Sequence, residues 1–327
     1  MIITRTPFRI SFFGGGTDYP SWFEFNGGHV ISAAIDKYSY ILLRELPPFF
    51  SFKNRIRYFS EENTQSISEI SHPVVREAAQ FLQIPNGFEV VHTADLPARS
   101  GLGSSSAFAV GILHAFARFK RDHPSKRDLA QNAIHVEQVL VAESVGSQDQ
   151  VAAAYGGFNS IRFDSTGFEV ESLSQVPVLS AGLQDHVMLC FTGHTRTASD
   201  LAAQQIARTK SNTRLLQEIS SISSRVYESI LDGTTDFQYL GTLLDEQWNA
   251  KKQLGPGISM EEIDGLYHTA RRLGAWGGKL LGAGGGGFMI FIAPPDSHDR
   301  IMAGLSQYLF VPFNFDFEGS KVVYESE

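Results

Sequence analysis

Cysteine is nearly missing: the 327 residues hold one, Cys190. No intrachain disulfide can form, so the core alone must hold the fold. Cys190 lies in the apolar run from Val187 to Phe191, which reads as a buried, inert core thiol. A lone cysteine fits a reducing compartment. Basic charge is also scarce, and the formal net charge is −8. That balance excludes nucleic acid or an anionic membrane as partner of the general surface, while leaving room for a basic pocket and a small anionic substrate. Met1 to Ile10 alternates polar and apolar residues and lacks the apolar stretch of a secretory leader. The longest uncharged runs, Gly101–Ala117 and Leu280–Pro295, are broken by Gly, Ser or His. They fall short of the roughly 20 apolar residues of a membrane helix. A cytoplasmic protein is expected, with homo-oligomerisation left open.

What is present is ordinary globular composition, 43% hydrophobic and 19% charged, over a length that suggests two packed domains. Met1 to Phe13 reads as a strand ending in Gly14-Gly15-Gly16. His29–Ile35 and Tyr38–Leu46 read as a hairpin around Asp36-Lys37. A strand over Gly87–His92 precedes helices over Ser104–Lys120, Lys126–Ser144 and Asp149–Tyr155, and another strand follows over Phe158–Phe163. Strands followed by helices point to an α+β class. The Ser-rich stretch Ser165–Gly182, with Gly167 and Pro177, is the expected boundary. It separates an N-terminal domain over 1–175 from a C-terminal domain over 182–327. The latter reads as a strand over His186–Phe191, helices between Ala198 and Leu273, and the glycine run Gly277–Gly287 entering an apolar strand, Phe288–Ala293.

The segment from Pro97 to Ala107, Pro-Ala-Arg-Ser-Gly-Leu-Gly-Ser-Ser-Ser-Ala, carries the most chemistry. A strand leads in, and a helix leaves with Phe108, Ile112, Ala115 and Phe119 on one face. Gly101 and Gly103 let the backbone approach a ligand, and their amides with those of the first helical turn can cradle a polyphosphate. The serines can cap the helix or face a metal or phosphate oxygen. A plain Gly-Ser turn is the bland alternative. A dinucleotide fingerprint fails because Ser106 stands where its third glycine belongs. A Walker-type loop fails for want of lysine.

This segment resembles the nucleotide-binding motif of the GHMP kinases (galactokinase, homoserine kinase, mevalonate kinase and phosphomevalonate kinase). Two further motifs resemble that family in the right order. Thr6-Pro7-Phe8-Arg9 with Gly14-Gly15-Gly16-Thr17-Asp18-Tyr19 is similar to its sugar-binding opening, and Lys279-Leu280-Leu281-Gly282-Ala283-Gly284-Gly285-Gly286-Gly287 to its third motif. The resemblance implies a two-domain GHMP fold using ATP and Mg²⁺. It places ATP on Pro97, Arg99, Ser100, Gly101, Leu102, Gly103, Ser104, Ser105 and Ser106.

Phosphoryl transfer needs charge neutralisation and a placed acceptor hydroxyl. Glu137 falls within the apolar stripe Ala130, Ala133, Ile134, Leu140, Val141, where a carboxylate is costly unless paired or bound to metal. The alternative is an edge residue reaching solvent. Asp149 precedes a short helix and could be only its cap. By resemblance, Glu137 with Ser105 holds magnesium, and Asp149 faces the acceptor hydroxyl as base or electrostatic anchor with Arg9 beside it. Arg9, Gly15, Gly16, Thr17, Asp18 and Asp149 then line the sugar site, with Gly284 of the third motif nearby.

The opening lacks the Glu-His of galactokinases, and its Gly-Gly-Gly-Thr-Asp form resembles the bacterial D-glycero-D-manno-heptose 7-phosphate kinases and L-fucose kinases. Phe191–Arg196 and Trp248–Lys252 are also similar to segments of the heptose group. Arg196, Lys251, Lys252 and Lys279 are thereby candidates to hold a distal phosphate, though surface lysines are usually only solvated. The resemblance implies phosphorylation of the anomeric hydroxyl to the 1,7-bisphosphate, toward nucleotide-activated heptose. An L-fucose-type sugar 1-kinase and a non-catalytic sugar sensor on the same fold are the rivals.

Overall fold

The computed structural model describes residues 1–176, 179, 182–193 and 198–326. Among them the strands are β1 (Ile2–Phe13), β2 (Gly28–Glu45), β3 (Asn54–Arg57), β4 (Glu61–Thr64), β5 (Phe88–Ala94), β6 (Phe158–Asp164), β7 (Gly167–Ser172), β8 (Val187–Phe191), β9 (Gly277–Leu280), β10 (Phe288–Ile292), β11 (Leu309–Phe310) and β12 (Lys321–Glu325). The helices used below are α1 (Pro20–Asn26), α2 (Pro73–Phe81), α3 (Ser104–Phe119), α4 (Lys126–His135), α5 (Gln148–Tyr155), α6 (Leu183–His186), α7 (Ala198–Ala207), α8 (Thr213–Leu231), α9 (Phe237–Lys252) and α10 (Glu261–Arg272). The expected α+β class is observed.

The larger sheet runs β12-β1-β2-β5-β3-β4, with β6 on β2 and β7 on β6. The hairpin expected around Asp36-Lys37 is instead one continuous strand, β2. Pro7 of β1 faces Tyr38 and Phe8 faces Ile35, so β1 pairs with both halves and the two extra residues form a bulge. Asp36 is held there by the backbone and side-chain amides of Asn314, both at 2.9 Å. A two-residue hairpin would want a glycine that Asp-Lys does not supply.

Helices α3 and α5 cover β1 and β2, and α8 also lies against both strands. The smaller antiparallel sheet, β11-β8-β10-β9, is backed by α9. Its central strand β10, Phe-Met-Ile-Phe-Ile, is buried at every position, as a covered strand should be. One core gathers Phe8, Phe12 and Phe116 under the large sheet, and another gathers Trp248, Tyr267 and Phe291 under the small one. The C-terminal segment sends its last strand home: β12 pairs with β1, so the chain after Gly182 contributes to both sheets.

Candidate active site

The loop between β5 and α3 is fixed by backbone bonds from two distant segments. Arg9 N donates to Leu102 O at 3.0 Å, and Phe288 N donates to Ser100 O at 3.1 Å. The two glycine motifs press back to back. A Cβ on Gly101 would lie 2.6 Å from the Leu281 carbonyl oxygen, and one on Gly282 would lie 2.6 Å from Gly101 Cα. The third motif is therefore the wall behind the phosphate loop.

Gly103, with φ +75°, caps α3 in the left-handed region. Ser104, Ser105 and Ser106 follow as the first turn, whose amides have no intrahelical acceptors and lie at the positive helix end, an arrangement that suits an anion. The loop residues divide by environment. Pro97, Arg99 and Ser105 are exposed, Gly101, Gly103 and Ser104 are half-buried, and Ser100, Leu102 and Ser106 are buried. Ser104 Oγ accepts from Arg99 N at 3.3 Å. Leu102, expected among the nucleotide contacts, has its side chain wholly in the core, leaving only its backbone to face the loop.

Glu137 lies fully buried below Ser105. Helix α4 runs on into a π-helical turn over Val136–Leu140, where the Lys126–Ser144 helix was expected to continue; such turns are frequent at functional sites. Ser105 Oγ donates to Glu137 Oε1 at 2.8 Å, and Gln150 Nε2 donates to Oε2 at 2.6 Å. Burial raises the Glu137 carboxyl to about 7, against the pull of the hydrogen bonds from Ser106, Ser105 and Gln150. The Ser105–Glu137 pair fits magnesium. A carboxylate and a hydroxyl oxygen set side by side at the helix start are the hard oxygen donors this ion takes.

On the other side of the loop, Arg9 grips Asp149 with two parallel bonds, Nε to Oδ1 and Nη2 to Oδ2, both 2.6 Å. Its remaining arm donates to Gly101 O at 2.7 Å. Asp149 is half-buried in the first turn of α5 and makes no cap. Its Oδ2 would lie 3.4 Å from a Cβ on Gly103, so the acidic group and the phosphate loop adjoin. Asp18 is buried nearby, accepting from Gly16 N at 2.9 Å and Gln148 N at 3.3 Å. Burial and then the charge of Asp149 raise its pKa.

The remaining expected substrate residues separate. Gly15 borders Gln148 and Lys279, whereas Gly16 sits over Leu216 and Leu254. Thr17 is spent on the turn, donating to Gly14 O at 2.8 Å and accepting from His29 N at 3.1 Å. Lys279 is buried, its Nζ donating to Ser11 O at 2.7 Å and Phe12 O at 3.2 Å. Lys251 is buried too, donating to the carbonyls of Leu280 and Gly282. Burial, followed by the charge of Arg9, lowers Lys251 to about 8. Burial and the Lys251 charge push Lys279 well down. Lys252 turns away from this cluster, over the Trp248 and Tyr267 rings and 3.8 Å from Asp264. Gly284 packs on the Ile258 backbone. Arg196 lies outside the described residues.

Two buried glutamines escaped the sequence reading. Gln150 holds Glu137, and Gln247 bridges Gly14 N (2.8 Å) and Phe12 O (2.9 Å). The signal for Gln247 was in the sequence. Leu240, Leu244, Gln247 and Lys251 share one face of α9 at i, i+4, i+7 and i+11, which also divides Lys251 from Lys252.

Known proteins resemble this chain in sequence and fold. The family description "GHMP kinases N terminal domain" matches residues 72–157 and "GHMP kinases C terminal" matches 227–309, together more than half of the chain. The chain belongs to the GHMP kinase family. It is a phosphotransferase, and its family implies ATP as phosphate donor. It is 28% identical to the D-glycero-alpha-D-manno-heptose 7-phosphate kinase of Campylobacter jejuni, over 98% of each chain. It is 25% identical to the bifunctional fucokinase/GDP-fucose pyrophosphorylase of Arabidopsis thaliana, over 88% of this chain and 29% of that one. The crystal structure of a D-glycero-D-manno-heptose 1-phosphate kinase from Bacteroides thetaiotaomicron superposes with a TM-score of 0.81 at 22% identity, covering 100% of both chains. That likeness bears on the fold. Among the described residues no helix of this GHMP kinase is long and apolar enough to cross a membrane.

Proposed function

We propose that this GHMP kinase transfers the γ-phosphate of ATP to the anomeric C1 hydroxyl of D-glycero-D-manno-heptose 7-phosphate, giving the 1,7-bisphosphate and ADP. The observation that carries the kinase chemistry is the Arg9–Asp149 pair set against Gly103 at the mouth of the phosphate loop. The Asp149 carboxylate accepts the C1 hydroxyl proton as that oxygen bonds to the γ-phosphorus. The bond from the γ-phosphorus to the β–γ bridging oxygen breaks, and ADP leaves. Arg9 orients the carboxylate through its two parallel bonds. Asp18 and Gly15 border the same space and face the sugar.

The α3 amides and the loop from Gly101 to Ser106 would hold the phosphates. Ser105 and Glu137 would hold magnesium, sharing it with phosphate oxygens as this ion usually requires. Bound there, the ion neutralises charge developing on the transferred group.

Likeness over the full length to the Campylobacter jejuni heptose 7-phosphate kinase supports the acceptor, as does the Gly-Gly-Gly-Thr-Asp opening. A second reading, an L-fucose-type sugar 1-kinase, is favoured by the fucokinase match and by the lysines. Lys251 and Lys279 each give two of three donors to backbone carbonyls, leaving little for a distal phosphate. A sensor on this fold is disfavoured because Glu137 and Asp149 are both present and positioned.

A coupled ADP-release assay over free and phosphorylated sugars tests the reading. Heptose 7-phosphate should be turned over far faster than free heptose or L-fucose. Preference for L-fucose would install the second reading. ATP binding without turnover of any sugar would leave only the sensor.

A further inference from the structure

We infer that Gln150 is a positioning residue for the metal carboxylate, setting which oxygen of Glu137 faces the ion. The inference rests on the reading above that Ser105 and Glu137 hold magnesium. Gln150 and Glu137 are both wholly buried, and their 2.6 Å contact occupies Oε2. That leaves Oε1, the oxygen beside Ser105, as the one directed toward the phosphate loop.

Against the ionised carboxylate that metal requires, the amide cannot exchange roles. Its own Oε1 is buried without a partner, and turning it over would set a carbonyl against a carboxylate. Contact with Glu137 is thus what fixes the Gln150 side chain. A neutral donor is also suited chemically, since it stabilises the carboxylate without adding a cation that would repel the metal.

Placement in α5 explains why this residue is available. Asp149 and Gln150 are consecutive in the first turn, about 100° apart around the helix axis. One side chain faces Arg9 and the acceptor space, the other the Glu137 carboxylate. A single dipeptide therefore ties the proton acceptor to the metal carboxylate.

The test is calorimetric titration of Mg²⁺ into the enzyme–ADP complex, beside ADP binding in EDTA. Losing an outer partner of a metal ligand typically costs 10–100-fold in metal affinity. Gln150→Leu should weaken Mg²⁺ by roughly that factor, with ADP affinity in EDTA within about twofold of wild type, and Glu137→Gln should weaken it at least as much. Gln150→Met, unbranched and of similar length, should behave like Gln150→Leu and carries the measurement if the leucine variant does not fold. Wild-type Mg²⁺ affinity in the Gln150 variants, with Glu137→Gln still impaired, would overturn the inference and leave the metal reading standing. Unchanged Mg²⁺ affinity in Glu137→Gln would remove both.

Discussion

Arg9 on the first strand and Asp149 on α5, 140 residues apart in sequence, form a two-pronged ion pair at 2.6 Å. The pair is not isolated. The third Arg9 arm reaches the Gly101 carbonyl, so Asp149 and the glycine loop share one guanidinium. Lysine has no planar fork to offer. Arg9→Lys should therefore lower kcat by about 10-fold or more while the fold persists, read by steady-state kinetics beside thermal melting. Undiminished kcat would show that the fork is dispensable.

Magnesium dependence should carry the Glu137 titration. The folded carboxyl sits at about 7, and metal binding needs it ionised. Apparent Mg²⁺ affinity should therefore rise from pH 6 to pH 8, and this slope should vanish in Glu137→Gln. The same shift bears on stability without metal. A carboxyl raised above its unfolded value favours the folded state at low pH, and that contribution is lost as pH rises through about 7.

Gly103 tests the loop. A Cβ there would meet Arg9 Cγ at 3.2 Å and Asp149 Oδ2 at 3.4 Å, with φ +75°. Both neighbours belong to the Arg9–Asp149 pair. Gly103→Val should lose stability by ~1–3 kcal/mol from backbone strain, and both ATP affinity and kcat should fall. Weakened ATP binding with wild-type kcat at saturation would mean that the pair is untouched.

The two lysines of α9 should separate. Lys252→Glu should leave the KM for heptose 7-phosphate within about twofold, because Lys252 lies over Trp248 and Tyr267; an increase of 10-fold or more would contradict this placement. Lys251 is buried, and its pKa falls from 10.5 to about 8. A lysine with a lowered folded pKa costs stability below that value, and the cost is relieved as pH rises from 8 toward 10.5. Wild type should therefore gain on Lys251→Met between pH 7 and 9.5, by on the order of 2 kcal/mol. Parallel pH profiles in urea would show that Lys251 keeps its proton in the folded protein as it does in the unfolded chain.

The Gly101–Ser106 loop was legible because phosphate chemistry needs glycines and a helix start at fixed spacing, whereas the roles expected of Glu137 and Asp149 came from family likeness. The long reach of Arg9 was named only by family likeness; nothing local to Phe8-Arg9-Ile10 reveals its partner. The bulge at Asp36-Lys37 was hidden because its cause is external, the partner strand β1 and Asn314. Strand β12 was missed for the same reason, since Lys321–Glu325 is defined by pairing with β1. Periodicity along α9, not applied to the lysines, separates them: Lys251 turns inward and Lys252 lies over Trp248 and Tyr267.

The most direct test of the account is Asp149→Asn, assayed with ATP and heptose 7-phosphate at saturation. Asparagine keeps the shape but loses the charge and the capacity to take the hydroxyl proton. A positioned base contributes roughly 10²- to 10⁴-fold, so kcat should fall by that factor. ATP affinity should be unchanged, because Gly101–Ser106 and the α3 amides are intact. A variant with near-wild-type kcat would contradict the assignment of Asp149 to the reacting centre.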